Sequence, residues 1–263
     1  MKSLVPMFSV KDVSFAYGPN APEVLRGLTM EISSGTITAI LGPNGSGKTT
    51  LLNLLLGWLV PGKGGIELAG RDFETFSRRD TSRLVGIVPQ NEGLAFDLSV
   101  FEYILLGRAP YLGLLEMPGE AERRLARAAL ETAGLPALAS RSVLSLSGGE
   151  RQLATLARVL AQNPEAFLLD EPMSHLDIGN TRRILGLLES LREAGKTVIL
   201  TTHDPNIAVA VSDAVVLLKS GRILASGPPA AVMTSANLEA TYGVPVRIVE
   251  VDGRPFILTW LSP

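Results

Sequence analysis

The chain has 263 residues, no cysteine, and 24 basic against 26 acidic side chains, for a formal net charge of −2. That length can bury a substantial core and suits one large domain with subdomains. The missing cysteines exclude disulfides and thiolate metal sites, which suits the cytosol, and the near-neutral charge gives no overall electrostatic footprint for nucleic acid.

The first fifteen residues carry an early proline and no sustained apolar core, unlike a secretory leader. The most apolar segment, Leu51 to Val60, is broken by Asn53 and Gly57 and ends at Pro61, well short of the roughly 18 apolar residues of a membrane span. The expectation is a chain soluble by itself, with any membrane role exercised through a partner.

The predicted elements begin with short strands. Phe8 to Tyr17 alternates loosely and runs into Gly18-Pro19-Asn20, and Val24 to Ile32 gives a second strand closed by Ser33-Ser34-Gly35. Thr36 to Leu41 reads as a buried strand, and Thr50 to Leu59 as a leucine-rich helix. Between them stands Gly42-Pro43-Asn44-Gly45-Ser46-Gly47-Lys48-Thr49-Thr50, which fits the phosphate-binding pattern G-x-x-x-x-G-K-[ST] without a mismatch. Glycines let the backbone turn so that successive N–H groups face one concavity, and the helix that follows adds partial positive charge at its N-terminus. Lys48 is placed to bind the β- and γ-phosphates of a nucleotide, and the Thr49 hydroxyl to ligate Mg2+.

Pro61-Gly62-Lys63-Gly64-Gly65 then breaks the chain, and Gly65 to Leu68 gives another short strand. This early cluster predicts an antiparallel sheet beside the main nucleotide-binding sheet. Leu84 to Pro89 reads as a buried strand with Gln90 at its end. From Leu98 to Gln162 the pattern turns helical, most clearly over Glu120 to Ala133 and Gly149 to Ala161. Ala166 to Leu169 is a core strand, Asn180 to Ala194 an amphipathic helix, and Thr197 to Thr201 a further strand. Ala214 to Leu218 and Arg222 to Ala225 form a hairpin. A short helix and a hairpin around Asp252-Gly253 follow. Strand–helix alternation from Thr36 onward argues an α/β fold.

Two more stretches carry chemistry. Asp170-Glu171 closes the strand Ala166 to Leu169, where one carboxylate can hold Mg2+ and the next can orient or deprotonate an attacking water. Alone the pair would read as a solvated acidic turn before Pro172. The phosphate loop changes that reading. In Leu146-Ser147-Gly148-Gly149-Glu150 a serine and two glycines open a helix, so Ser147 can cap it while backbone N–H groups face an anion.

Leu146 to Gln152 (LSGGERQ) resembles the signature of the ATP-binding cassette (ABC) ATPases. The family's other stations fall in order around it: Tyr17, the phosphate loop, Gln90, FLLDEP, Ser174 to Asp177 (SHLD), and His203 after a strand. The resemblance covers essentially the whole chain. It implies a P-loop NTPase (RecA-like) core with an antiparallel β subdomain and a helical subdomain at about 92–162, within an ATP-binding domain over 5–240. A short C-terminal extension occupies 241–263. It also implies that two copies dimerise head to tail, so that Ser147, Gly148 and Gly149 contact the γ-phosphate held by the partner copy. Tyr17 would stack on the adenine, Gln90 would approach Mg2+ and the attacking water, His203 would touch the γ-phosphate, and Asp177 would link the two sites. By this resemblance Glu171, His203, Lys48 and Gln90 would form the catalytic set, and Thr49, Gln90 and Asp170 the metal set. Met173 departs from the usual threonine.

Leu105 to Gly113 (LLGRAPYLG) resembles the LxGRxPYLG stretch of importers for iron–siderophore, haem and cobalamin complexes, and Ala231 to Thr234 and Tyr242 to Val244 resemble their endings. His203-Asp204-Pro205-Asn206 departs from their His-Asp-Leu-Asn. The resemblance therefore implies a peripheral ATPase on the cytoplasmic face of the membrane, joined to permease subunits through about Gln90 to Tyr111. An extracytoplasmic binding protein would select the cargo. A molybdate or other metal importer, an exporter, and a soluble or regulatory nucleotide-binding module stand as alternatives.

Overall fold

The computed structural model describes residues 5–90, 92–93, 96–174, 176–251 and 253–258. Strands β1 (Phe8–Phe15), β2 (Leu25–Ile32) and β3 (Ile37–Leu41) lead into helix α1 (Lys48–Leu55). Next come β4 (Lys63–Leu68), β5 (Arg71–Asp72), α2 (Arg78–Leu84) and β6 (Val85–Val88). A helical stretch holds α3 (Val100–Leu105), α4 (Glu120–Thr132) and α5 (Gly148–Gln162). Strands and helices then alternate through β7 (Ala166–Asp170), α6 (Ile178–Glu193), β8 (Thr197–Thr202), α7 (Pro205–Val211), β9 (Ala214–Lys219) and β10 (Arg222–Gly227). The described chain closes with α8 (Pro229–Val232), α9 (Ser235–Tyr242), β11 (Arg247–Val251) and β12 (Arg254–Leu258). Two compact units result, one from 1–75 with 197–263 and one from 76–196.

In the first unit β3 lies between β8 and β9 and runs parallel to both, with Leu41 level with Thr202 on one side and Leu217 on the other. Every residue of β3 and β8 is buried, the pattern of parallel strands covered on both faces. Asp213 fixes the start of this sheet. Ile37 N donates to its Oδ2 at 2.8 Å, and Asp213 N donates to Ile37 O at 2.8 Å. The early strands form the expected antiparallel sheet, in the order β2-β1-β4-β5.

In the second unit β6 pairs in parallel with β7, and α3 and α4 pack on α5. The stretch Leu105 to Gly113 is built into this unit rather than draped over it. A Cβ on Gly107 would stand 2.1 Å from Arg158 O, so only glycine lets this backbone touch α5. Buried Arg108 donates from Nη1 to Ala161 O at 2.8 Å and Gln162 O at 3.3 Å, placing a cation on the C-terminal carbonyls of α5. Its guanidinium also lies 3.9 Å from the centre of the Tyr111 ring, and Arg83 stands 5.3 Å from the same ring.

Several boundaries differ from the sequence expectation for local reasons. The helix expected to reach Leu59 ends at Leu55, because Gly57 takes φ 68° and Trp58 N and Leu59 N both turn back to Asn53 O. The helix expected from Asn180 starts at Ile178, since Asp177 caps it. Helices α2 and α7 escape periodicity because each has only seven residues, yet Ser77 and Asp204 mark their starts as caps. The C-terminal hairpin forms where expected, although Asp252 itself lies outside the described residues.

Arg108→Ala should lower the unfolding free energy by roughly 2–4 kcal/mol, because it strips charged hydrogen bonds from buried carbonyls. Lysine should restore less than half of this, lacking the planar fork. Urea unfolding followed by circular dichroism measures both, and an unchanged midpoint for Arg108→Ala would contradict the capping role.

Candidate functional site

The phosphate loop is seated by backbone. A Cβ on Gly42 would lie 2.0 Å from Leu218 O and 2.7 Å from Ser46 Oγ, so the loop can press against β9 only as glycine. Gly47 takes φ 105°, the left-handed region, and stands at the N-cap of α1 without offering a side chain to cap it. Lys48 is 6% exposed, and its Nζ donates to Gly42 O at 2.8 Å and Pro43 O at 3.3 Å. Asn44, Gly45 and Thr49 are exposed, and Pro43 is half-buried.

These features fit a polyphosphate. Helix α1 has no side-chain cap and no acidic residue in its first turn, so its N-terminal field faces an anion unopposed. Inside the loop, buried Ser46 Oγ has no hydrogen-bond partner. Tyr17 lies in the same unit. Its hydroxyl meets Thr50 Oγ1 at 3.0 Å, its ring stands edge-on to Phe15 at 5.0 Å, and it is 62% exposed, leaving a face open for a flat base. His203 follows β8 in this unit and is exposed.

The second unit carries the acidic station. Asp170 ends β7 and is 6% exposed. Glu171 takes φ 48°, a left-handed backbone that non-glycine residues avoid at a cost of about 1–3 kcal/mol. β7 ends just before this turn. Gln90 Nε2 and Ser174 Oγ donate to Glu171 Oε2 at 3.3 Å and 2.8 Å. Ser174 is a participant that the sequence offered only as part of a motif. The cue was its spacing of three from Glu171, which suits a tight turn; Ser174 N also donates to Glu171 O at 3.1 Å. Met173 is buried, which explains how a large apolar residue can follow this turn without entering the site.

Among the described residues no group of three His, Cys, Asp or Glu side chains is arranged to hold a metal ion. A divalent ion here would take few protein ligands and complete its shell from phosphate and water, as Mg2+ prefers. In the first unit the Thr49 hydroxyl, and in the second the Asp170 carboxylate and the Gln90 amide oxygen, are each oxygen groups of the type that Mg2+ takes.

Ser147 opens α5 through a reciprocal cap. Its N and Oγ each donate to Glu150 Oε2 at 2.8 Å, and Glu150 N donates back to Ser147 Oγ at 3.3 Å. Two donors are thereby satisfied, and the N–H groups of Gly148 and Gly149 remain at the first two helical positions. Ser147 and Gly148 are exposed. Asp177 caps α6, accepting from Asn180 N at 2.7 Å and Asn180 Nδ2 at 3.0 Å. Asn180 in turn touches the signature segment, since a Cβ on Gly149 would lie 2.3 Å from its Nδ2. His175 lies outside the described residues.

The fold and the phosphate loop define a P-loop nucleoside triphosphatase, and comparison with known proteins narrows the class. The ABC transporter family model matches residues 25–174. The chain is 37% identical over 233 residues to the hemin import ATP-binding protein HmuV of Gloeobacter violaceus, covering 86% of this chain and 84% of that protein. It is 37% identical over 237 residues to the manganese transport system ATP-binding protein MntA of Synechocystis, covering 89% of each. A solved ABC transporter described as metal-chelate type, in an inward-facing conformation, superposes with a TM-score of 0.83 at 34% identity over 96% of both chains. The chain belongs to the ABC transporter family and is an ATPase of that family.

Hydrogen bonds from Ser147 hold the Glu150 carboxyl below its ordinary value of 4.5. A depressed carboxyl stabilises the fold above its unfolded value, and that contribution disappears as pH falls through the folded value. Glu150→Gln should therefore flatten the loss of stability below pH 4.5. Urea midpoints from pH 6 down to about 3.5 compare the two proteins, the range being set by ordinary carboxyl values. Parallel acid slopes would remove Glu150 from the account.

Proposed function

We propose that this chain is the ATP-hydrolysing subunit of an importer that carries haem or another metal chelate. The observation supporting hydrolysis is the Glu171 carboxylate, carried on a left-handed residue just past β7 and held by Gln90 and Ser174. Held in this way, it is suited to orient the attacking water and take its proton. Lys48 and the backbone N–H groups of Gly45 to Thr50 bind the phosphates, Tyr17 stacks on the adenine, and His203 contacts the γ-phosphate. Thr49, Asp170 and Gln90 would hold Mg2+. When bound, the ion neutralises charge building on the phosphate oxygens.

The reading includes a second copy of the chain. Ser147, Gly148 and Gly149 would meet the γ-phosphate held by that copy, and Asp177 would lie at the junction. Exposure of Ser147, Gly148 and Asp177 supports this, as does Ile178, 89% exposed beside Asp177. ATP binding then doubles as association. Among the described residues no helix is long and apolar enough to cross a membrane, so coupling is assigned to separate permease subunits, with this chain peripheral on the cytoplasmic face. An extracytoplasmic binding protein belongs to the same reading. We assign 5–240 to the ATP-binding domain and 241–263 to a short extension.

The cargo follows the hemin relative and the Leu105 to Gly113 stretch. The manganese relative has the same identity, so a divalent metal ion is the second reading.

Glu171→Gln should keep ATP affinity and slow hydrolysis by about 10^2–10^4-fold, and near-normal turnover would remove Glu171 as the base. Ser147→Arg should leave nucleotide binding to a single chain intact and abolish ATP-dependent dimers in light scattering. Normal dimerisation of that variant would sink the composite site. Affinity purification from native membranes should bring down a permease; its transport of haem or manganese in vesicles separates the two cargoes.

A further inference from the structure

His203 is followed within two residues by α7, a helix of seven residues. Fewer than two full turns cannot sustain themselves, so the place of this segment depends on what fastens it. Part of the fastening is local. Asp204 N donates to Thr202 Oγ1 at 3.0 Å, and Asp204 Oδ1 accepts from Asn206 N at 2.8 Å and Ile207 N at 3.4 Å. Pro205 presets the first helical φ.

One side chain in this first turn reaches far along the chain instead. Asn206 Nδ2 donates to Ile257 O at 3.1 Å, and Ile257 N donates to Asn206 Oδ1 at 2.8 Å. A single amide thus meets both backbone polar groups of one residue, as a neighbouring strand would. The register of the hairpin explains why those groups are available. Val251 faces Arg254 across a two-residue connection and Ile248 faces Ile257. The closing pair of such a hairpin exchanges hydrogen bonds and the pairs alternate, so Ile257 turns its N–H and C=O away from β11. Pro255 falls on the same phase, where its missing N–H removes no bond from the hairpin. An isolated two-stranded hairpin is marginal in water, and α7 is too short to stand alone. Each steadies the other, with the Ile257 side chain buried and α7 packed on β3, β8 and β12.

We propose that Asn206 is a positioning residue: its amide clamps the C-terminal hairpin to the first turn of α7 and thereby sets His203 for ATP hydrolysis. This rests on the reading of His203 as a γ-phosphate contact. The last two strands then act as a brace for the catalytic loop.

The chain has two histidines, so His175→Gln assigns the ring resonances of His203 without ambiguity. In the full chain, Asn206→Ala should move the His203 ring resonances and lower kcat about 10-fold while KM for ATP stays within about 2-fold. Asn206→Asp keeps the acceptor and loses the donor, and should fall between wild type and alanine on both readouts. Unmoved resonances and normal kcat in Asn206→Ala would overturn the clamp, as would a change in the urea midpoint alone. If His203→Ala hydrolyses ATP normally, the role of His203 fails; the resonance shift then still decides whether Asn206 places it.

Discussion

The first unit depends on a run of backbone contacts too close for any side chain. Gly42 rests on the Leu218 carbonyl, and Gly221 N donates to Ser46 O at 3.1 Å. Arg26 N donates to Gly221 O at 2.9 Å, and a Cβ on Gly221 would lie 2.1 Å from Val24 O. These contacts tie the β9–β10 turn to the phosphate loop on one side and to the start of β2 on the other. The loop is therefore fastened largely through main chain, with Lys48 Nζ adding its bonds to Gly42 O and Pro43 O. Preorganisation of this kind suits phosphoryl transfer, in which positioning and electrostatics do most of the catalysis.

The second unit places its chemistry by strain and capping. Glu171 leaves β7 in a left-handed turn that its surroundings must sustain, and the hydrogen bonds from Gln90 and Ser174 fix where its carboxylate ends up. Gln90 lies two residues past β6 and Glu171 one past β7, so their contact links the ends of the β6–β7 pair. Ser147 and Asp177 are fixed differently, as caps of α5 and α6. A capping side chain has little rotamer freedom left, so the groups read as facing a partner copy are already ordered in the single chain.

Much of this was legible in the residues, for unequal reasons. The phosphate loop declared itself because glycine spacing, lysine and hydroxyl are all dictated by backbone geometry around a phosphate. Asp170-Glu171 was legible only after it. Long-range fasteners were not legible at all: nothing near Arg108 in sequence points to the carbonyls of Ala161 and Gln162, and nothing near Asn206 points to Ile257. The leucines from Leu51 to Leu59 suggest a helix to Leu59, but the left-handed φ of Gly57 outranks them. Family resemblance named Leu105 to Gly113 as an importer feature, but it could not show that Gly107, Arg108 and Tyr111 are spent holding α5 and α2 together.

That last point bears on how a partner can be met. With Arg108 buried on α5 and Tyr111 beside two guanidinium groups, these side chains are committed within the unit. Leu106, half exposed, and the exposed Leu114, Leu115 and Met117 are apolar groups left near this stretch. Under the proposed function, a permease meeting this stretch would feel Arg108 and Tyr111 through the rigidity they give α5, whose N-terminus carries Ser147. A single helix thus has its C-terminal carbonyls fixed by the importer-like stretch while Ser147 and Gly148 stand exposed at its N-terminus. Rigid elements of this kind carry a displacement from one end to the other, and α5 supplies one within a single unit.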